Sequence, residues 1–141
     1  DIRLAAGPAT FAAPEIKLGW IGGGGMSALL AHSIGPGNAA VMLLTGDPID
    51  AATALRWGLV SEVLPAEDLA GRAGELAATI ASRAPIAAET AKKDLRAAFE
   101  MPLSRAIDYE RQLQTVCFAT EDAAEGRAAF AERRPPIFRA R

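Results

Sequence analysis

The chain has 141 residues, half of them apolar and 23% charged, with 17 carboxylates against 15 Lys and Arg for a net charge of −2. That length suits one domain rather than two, and the balance is that of an ordinary globular protein with no sequence-wide positive field for nucleic acid or an anionic membrane. One Cys and one His rule out an internal disulfide and argue against a zinc site built from protein ligands alone.

In chain order, residues 1–5 read as a short strand ended by the turn signal Gly7-Pro8. Thr10-Phe11 is a second, very short strand, and residues 14–19 a loop or single helical turn. An unbroken glycine run, Gly22 to Gly25, follows. Residues 26–34 predict a short helix stopped by Gly35-Pro36-Gly37, and Asn38 is a good N-cap for a second one reaching Thr45, with Gly46 as its stop. Asp50 caps a helix over 51–57 and Gly58 ends it. Residues 59–64 (LVSEVL), β-branched and bounded by Gly58 and Pro65, predict a strand.

The chain changes character near residue 65, dividing it into 1–65 with its turns and short strands and 66–141 with long Ala-rich helices. Leu69, Ala73, Leu76 and Ile80 form one stripe on a 3.6-residue repeat. Pro85 opens a helix through Phe99, and Met101-Pro102 breaks the chain before a helix ending near Ala119. Thr120, followed by Glu121 and Asp122, caps a last helix that reaches about Arg133 and stops at Pro135-Pro136. Two or three short strands do not make a free-standing sheet, and the helices carry apolar faces that need a partner. The pattern is that of a piece, mostly α with a few strands.

Cys117, among Leu113, Val116 and Phe118, is expected to be a buried structural thiol. No stretch approaches the roughly 20 apolar residues of a membrane span. The chain begins with Asp1, without a basic leader, which predicts a cytoplasmic protein with further sequence upstream. The basic C-terminus, Arg133-Arg134 with Arg139 and Arg141, reads equally as a solvated tail or a contact.

The glycine run is not a Walker loop, because Met26 stands where Lys is required. Nor is it a dinucleotide fingerprint, whose third glycine would fall at Ser27. Four glycines each cost roughly 0.5–1 kcal/mol of backbone entropy. Such a run points to close approach to the backbone or to amides needed as donors, with a plain linker as the alternative. Glu15 precedes it; alone, a loop Glu is usually solvated, and a catalytic carboxylate needs a partner acid, base or oxyanion donor nearby. His32 alone reads as a packing or capping residue.

Three blocks carry a resemblance: FAAPEIKLGWIGGGG (11–25), LLTGDPIDAATALRWGLVSEVLP (43–65) and FATEDAAEGRAAFAERRPPIF (118–138). In this order they resemble the second half of the enoyl-CoA hydratase/isomerase (crotonase) family, whose fold is an α/β spiral of ββα units followed by helices that pack in trimers. The resemblance implies an acyl-CoA thioester as substrate, with coenzyme A arriving as part of it and no separate cofactor or metal. Glu15 matches the second of two catalytic glutamates, acting at the α-carbon. Gly23 matches a glycine whose amide holds the water, and Trp20 and Gly22 flank the same substrate wall. Phe130 and Arg133 match positions that reach the nucleotide end of a neighbouring subunit's CoA, the Arg as a phosphate contact. No nucleic-acid or membrane partner is implied, and a homo-oligomer, trimer or dimer of trimers, is.

The family usually reads Pro-Gly-Ala-Gly-Gly-Thr where this chain has Gly22-Gly23-Gly24-Gly25-Met26-Ser27, which alters the acyl pocket. The first glutamate, both oxyanion amides and the adenine grip belong to sequence that should precede Asp1. Losing one oxyanion donor costs about 10²–10³ in rate and one acid–base partner about 10²–10⁴. The chain by itself is therefore expected to be inactive. An isomerase in which one carboxylate shuttles the proton is a variant of this reading. A non-catalytic remnant or assembly module that keeps the trimerisation helices is the alternative from a different class.

Overall fold

Glycine and proline punctuation sets the element boundaries in the computed structural model, which describes residues 1–141. The chain forms two compact units, Asp1–Gly74 and Glu75–Arg141. The first holds strands β1 (Leu4–Ala6) and β2 (Thr10–Phe11), a 3-10 turn (Pro14–Leu18), helix α1 (Met26–Thr45), β3 (Ile49–Asp50), α2 (Ala51–Trp57) and β4 (Glu62–Leu64). Helix α3 (Leu69–Ala81) starts in the first unit. The second unit carries α4 (Pro85–Glu100), α5 (Leu103–Phe118) and α6 (Glu121–Glu132).

The strands number four, in two pairs, where the sequence predicts two or three. β1 runs parallel to β4 with Ala5 opposite Val63, and β2 antiparallel to β3 with Phe11 opposite Ile49. A parallel pair needs a long crossover, and α1 and α2 lie within the connection. The β3 pairing is the unforeseen one, because a two-residue strand has no sequence pattern of its own. Arg3 fastens the β1 edge by donating from Nε to the Leu59 carbonyl, while its own carbonyl accepts from Ser61 N–H at 2.7 Å.

Local caps form as their residues dictate. The Asp50 carboxylate accepts from Thr53 N–H at 2.7 Å, and the Thr120 hydroxyl accepts from Ala123 N–H at 3.0 Å. Asn38 behaves differently. The helical segment runs on through Pro36 and Gly37, and the Asn38 amide donates back to the Ile34 carbonyl at 3.0 Å instead of capping a new helix. Only Gly35, at φ 78° and ψ 155°, leaves helical geometry. Pro36 has no N–H to lose there and starts the second arm as a first-turn proline. By length and composition alone α1, with 20 residues and a mean hydropathy of 1.2, meets the criterion for a membrane span that the sequence pattern does not predict. The break at Gly35 makes it two short arms in series, each about half the length a bilayer core requires.

The core of the first unit is two small clusters. Ala5, Ala51, Ala54 and Val60 form one; Ile34, Ala39 and Met42 form the other. Phe11, Ile49 and Leu59 pack on both and so join strands to helix. Arg72 on α3 makes a bidentate pair with Glu62 on β4 at 2.7 and 2.9 Å, which keeps the start of α3 with the first unit.

In the second unit α4 packs on α5, and α5 on α6. Cys117 is half-buried rather than buried. The C-terminal tail folds back on α6. The buried Asp122 carboxylate accepts from the N–H groups of Arg139 at 2.7 Å and Ala140 at 2.9 Å, and Asp122 N–H donates to the Arg141 carbonyl at 2.9 Å. Glu125 accepts two hydrogen bonds from Arg134, at 2.5 and 2.9 Å, and a third from Ile137 N–H at 2.8 Å. The hydrogen bonds from Arg134 and then from Ile137 hold the Glu125 carboxyl down at about 2 from an ordinary 4.5. A carboxyl depressed in the folded state contributes stability that is complete above its unfolded value and is lost as pH falls towards its folded one. We therefore expect the melting temperature to fall as pH drops from about 4.5 to about 2. In Glu125→Gln it should be lower at neutral pH and should lose part of that slope. A variant with the parent's acid profile would show that the tail pair contributes nothing.

Candidate active site

The turn that carries Glu15 is built by short-range chemistry. Ala13, buried, ends the extended segment, and Pro14 opens the 3-10 turn with its fixed φ. Gly19, at φ 90°, closes it with its N–H on the carbonyls of Glu15 and Ile16. Trp20 N–H also donates to the Glu15 carbonyl at 3.3 Å. The turn packs against α1. Within this fixed backbone one side-chain atom is anomalous. Glu15 Oε2 is buried and has no hydrogen-bond partner, the only buried side-chain oxygen or nitrogen in the chain so placed. Leaving such an atom unpaired costs about 1–3 kcal/mol. A native protein keeps an orphaned polar atom where strain, function or a missing partner explains it.

The glycine run lies between this turn and α1, and its members differ. Gly24 and Gly25 sit at φ 66° and 88°, and Gly25 is the residue before the first helical one. A side chain on Gly22 would collide with the Met26 thioether, whose Cε lies 2.9 Å from the Cβ position. Gly23 has neither reason: its φ is not positive and a Cβ there would meet nothing within 4 Å. Its carbonyl accepts from Met26 N–H at 3.3 Å, and no turn or cap hydrogen bond uses its own N–H. Trp20 and Ile21 are exposed beside it.

Glu15, Trp20, Gly22 and Gly23 thus share one stretch of the first unit. Phe130 and Arg133 belong to the second unit and form a separate pair at the end of α6. Phe130 is 87% exposed. Arg133 takes a left-handed conformation, φ 55°, as the residue that ends the helix, with its N–H on the Phe130 carbonyl. Its exposed guanidinium makes no hydrogen bond or ion pair within the chain. Neighbouring Arg134 is the reverse case, tied to Glu125 and Glu132. A cleft of about 420 Å³ opens between α6 and the tail. Its Arg134–Glu125 and Arg141–Glu121 pairs satisfy each other, so it reads as structural.

A profile of the family described as enoyl-CoA hydratase/isomerase matches residues 1–141. The chain belongs to the enoyl-CoA hydratase/isomerase family. A Mycobacterium bovis protein named probable enoyl-CoA hydratase echA8 is 48% identical over 138 residues, covering 98% of this chain and 54% of that protein. The 2,3-dehydroadipyl-CoA hydratase of Escherichia coli is 40% identical over 141 residues, covering 100% of this chain and 55% of that protein. Among solved structures, an enoyl-CoA hydratase from Bacillus anthracis superposes with a TM-score of 0.97 at 35% identity, covering all of this chain and 55% of the other. The chain therefore spans about half the length of the relatives it matches, and its mostly helical architecture with a few short strands is part of the crotonase fold.

One residue of the enoyl-CoA hydratase/isomerase chain that the sequence pattern marks only as a helix stop, Gly46, touches the Glu15 turn. Sequence spacing carries no signal for that contact.

The orphaned oxygen has a thermodynamic signature. Glu15→Met, similar in length without the polar atoms, should raise stability by about 1–3 kcal/mol. Thermal or urea denaturation checks this, and a destabilised Glu15→Met would mean that the carboxylate is supported in the folded state.

Proposed function

We propose that this chain supplies the second acid–base carboxylate, Glu15, of an enoyl-CoA hydratase, which adds water across the double bond of an enoyl-CoA thioester. The observation that carries the reading is the buried Oε2 with no partner in the chain. A carboxylate that exchanges a proton with a bound substrate needs an oxygen held out of water and committed to no other group. The relatives' names favour hydration over isomerisation: they include enoyl-CoA hydratases and hydratases of two more elaborate acyl-CoA thioesters.

In the proposed reaction the water oxygen bonds to the β-carbon and a proton goes to the α-carbon as the double bond is lost. Glu15 serves the α-carbon side. The unused Gly23 N–H is the donor that holds the water, and the open space at its Cα is where the substrate approaches. Trp20 and Gly22 border the same wall. Phe130 and Arg133 meet the nucleotide end of a neighbouring subunit's CoA, where a guanidinium without an internal partner suits a phosphate. Coenzyme A enters with the substrate, and no other cofactor is part of the proposal. The protein works as a homo-oligomer, a trimer or dimer of trimers, in the cytoplasm. The 141-residue chain alone does not turn over, because the first glutamate and the oxyanion amides lie outside it.

The deciding experiment measures the intact mass of the protein from its native source together with hydration of crotonyl-CoA by the same sample. The expected result is a mass about twice 14.7 kDa with turnover, and a loss of about 10²–10⁴ in kcat for Glu15→Gln. A mass near 14.7 kDa without turnover would replace the enzyme with a non-catalytic remnant or assembly module. Turnover of the 3-enoyl thioester to its 2-enoyl isomer without hydration would assign the isomerase instead. For the CoA contact, Arg133→Ala should raise KM about tenfold with kcat within about twofold, the mark of lost uniform binding. An unchanged KM would remove Arg133 from the site.

A further inference from the structure

Gly46 closes α1 at φ 67°, with its N–H on the Met42 carbonyl at 3.0 Å. A β-carbon there would stand 2.9 Å from Ile16 Cγ2 and 3.2 Å from both Lys17 Cγ and Lys17 Cε. Ile16 and Lys17 directly follow Glu15 in the same five-residue turn. The following residue, Asp47, pairs with Lys17 Nζ at 2.6 Å, and its own N–H is fixed by the Thr45 hydroxyl at 3.1 Å. The end of α1 therefore presses on the Glu15 turn twice: through an empty side-chain position filled by Ile16, and through an ion pair.

We propose that Gly46 is a positioning residue for Glu15, holding the carboxylate's turn in register by leaving the space in which Ile16 seats, with Lys17–Asp47 closing the same contact on the exposed side. This rests on the reading of Glu15 as the acid–base group. A methyl group at position 46 meets backbone strain and the Ile16 side chain together. Ile16 moves, and Glu15 moves with it. Misplacement of a reacting group by about 1 Å costs on the order of 10²-fold in rate.

The test uses the complete native enzyme and crotonyl-CoA, reading kcat, KM and melting temperature separately. Gly46→Ala should lower kcat by about 10–10²-fold with KM within about twofold. Ile16→Ala, at a residue 36% exposed, removes the seated side chain without the clash and should lower kcat by less than Gly46→Ala does. The double variant Gly46→Ala/Ile16→Ala should recover kcat to the Ile16→Ala level while its melting temperature stays low, because the strain at φ 67° persists. A merely structural glycine would show no such recovery. A folded Gly46→Ala with parental kcat, or a double variant as slow as the single, overturns the proposal. If Gly46→Ala does not fold, Lys17→Met decides. Reduced kcat, restored by the charge swap Lys17→Asp/Asp47→Lys, supports positioning, and parental kcat overturns it. Glu15→Gln separates the two levels. Full turnover in that variant defeats the reading of Glu15 itself. Loss of turnover in Glu15→Gln beside a fully active Gly46→Ala defeats only the positioning.

Discussion

The first unit depends on three side chains that belong to two cores at once. Phe11, Ile49 and Leu59 pack against the alanine-rich cluster under α2 and also against the Ile34–Ala39–Met42 cluster of α1. Because Phe11 and Ile49 face each other across the β2–β3 pair, a two-residue strand pairing is enough to tie the helices to the strands. The Glu15 and Gly46 turns both hang from this seam. The Glu15 turn leaves the C-terminal end of β2, and the Gly46 turn lies just before β3. The catalytic candidate and its proposed support thus approach from the two partners of one strand pair.

Carboxylates in the chain fall into two kinds. Asp122 is buried and has two backbone amides; Glu125 has an arginine and a backbone amide. Both tie down the C-terminal tail, and their hydrogen-bonding capacity is consumed by the fold. Glu15 is only half-buried, yet its Oε2 is shut off from solvent and left with nothing. The unpaired arrangement is the one that buried polar groups ordinarily avoid. The distinction rests on what each oxygen touches. Residue type and burial alone would have ranked Asp122 ahead of Glu15.

What could be read from sequence follows the range of the interaction. The caps at Asp50 and Thr120 join groups three residues apart, and both form as their residue types demand. The breaks at Met101-Pro102 and after Glu132 are equally local. Asn38 misleads because its donor end finds the Ile34 carbonyl across the Gly35 break, and propensity does not say which end of the amide is used. The contact of Gly46 with Ile16 spans thirty residues and has no periodic signature, as has the return of the tail onto Asp122. Glu15 is the sharpest case. Its surroundings in sequence look like those of a solvated loop residue, and only the resemblance of the block around it singled it out. The unsatisfied oxygen supplies a reason that does not pass through the resemblance.

The glycine run shows how structure divides a compositional feature. Gly24 and Gly25 are required by left-handed backbone, and at Gly22 a side chain would have to displace the Met26 thioether. Gly24 and Gly25 are consumed by the chain's own geometry, in the way Asp122 is. Gly23 is not: a side chain would fit and the backbone would accept it, so the fold alone gives no cause for the entropy that glycine costs there. The two groups unexplained by folding, Glu15 Oε2 and Gly23, fall in one stretch of the first unit and have complementary chemistry, an acceptor without a donor and an N–H without an acceptor. A water molecule, which both donates and accepts, has the chemistry to satisfy both. That shared deficit, more than either residue alone, is what the proposed roles of Glu15 and Gly23 rest on.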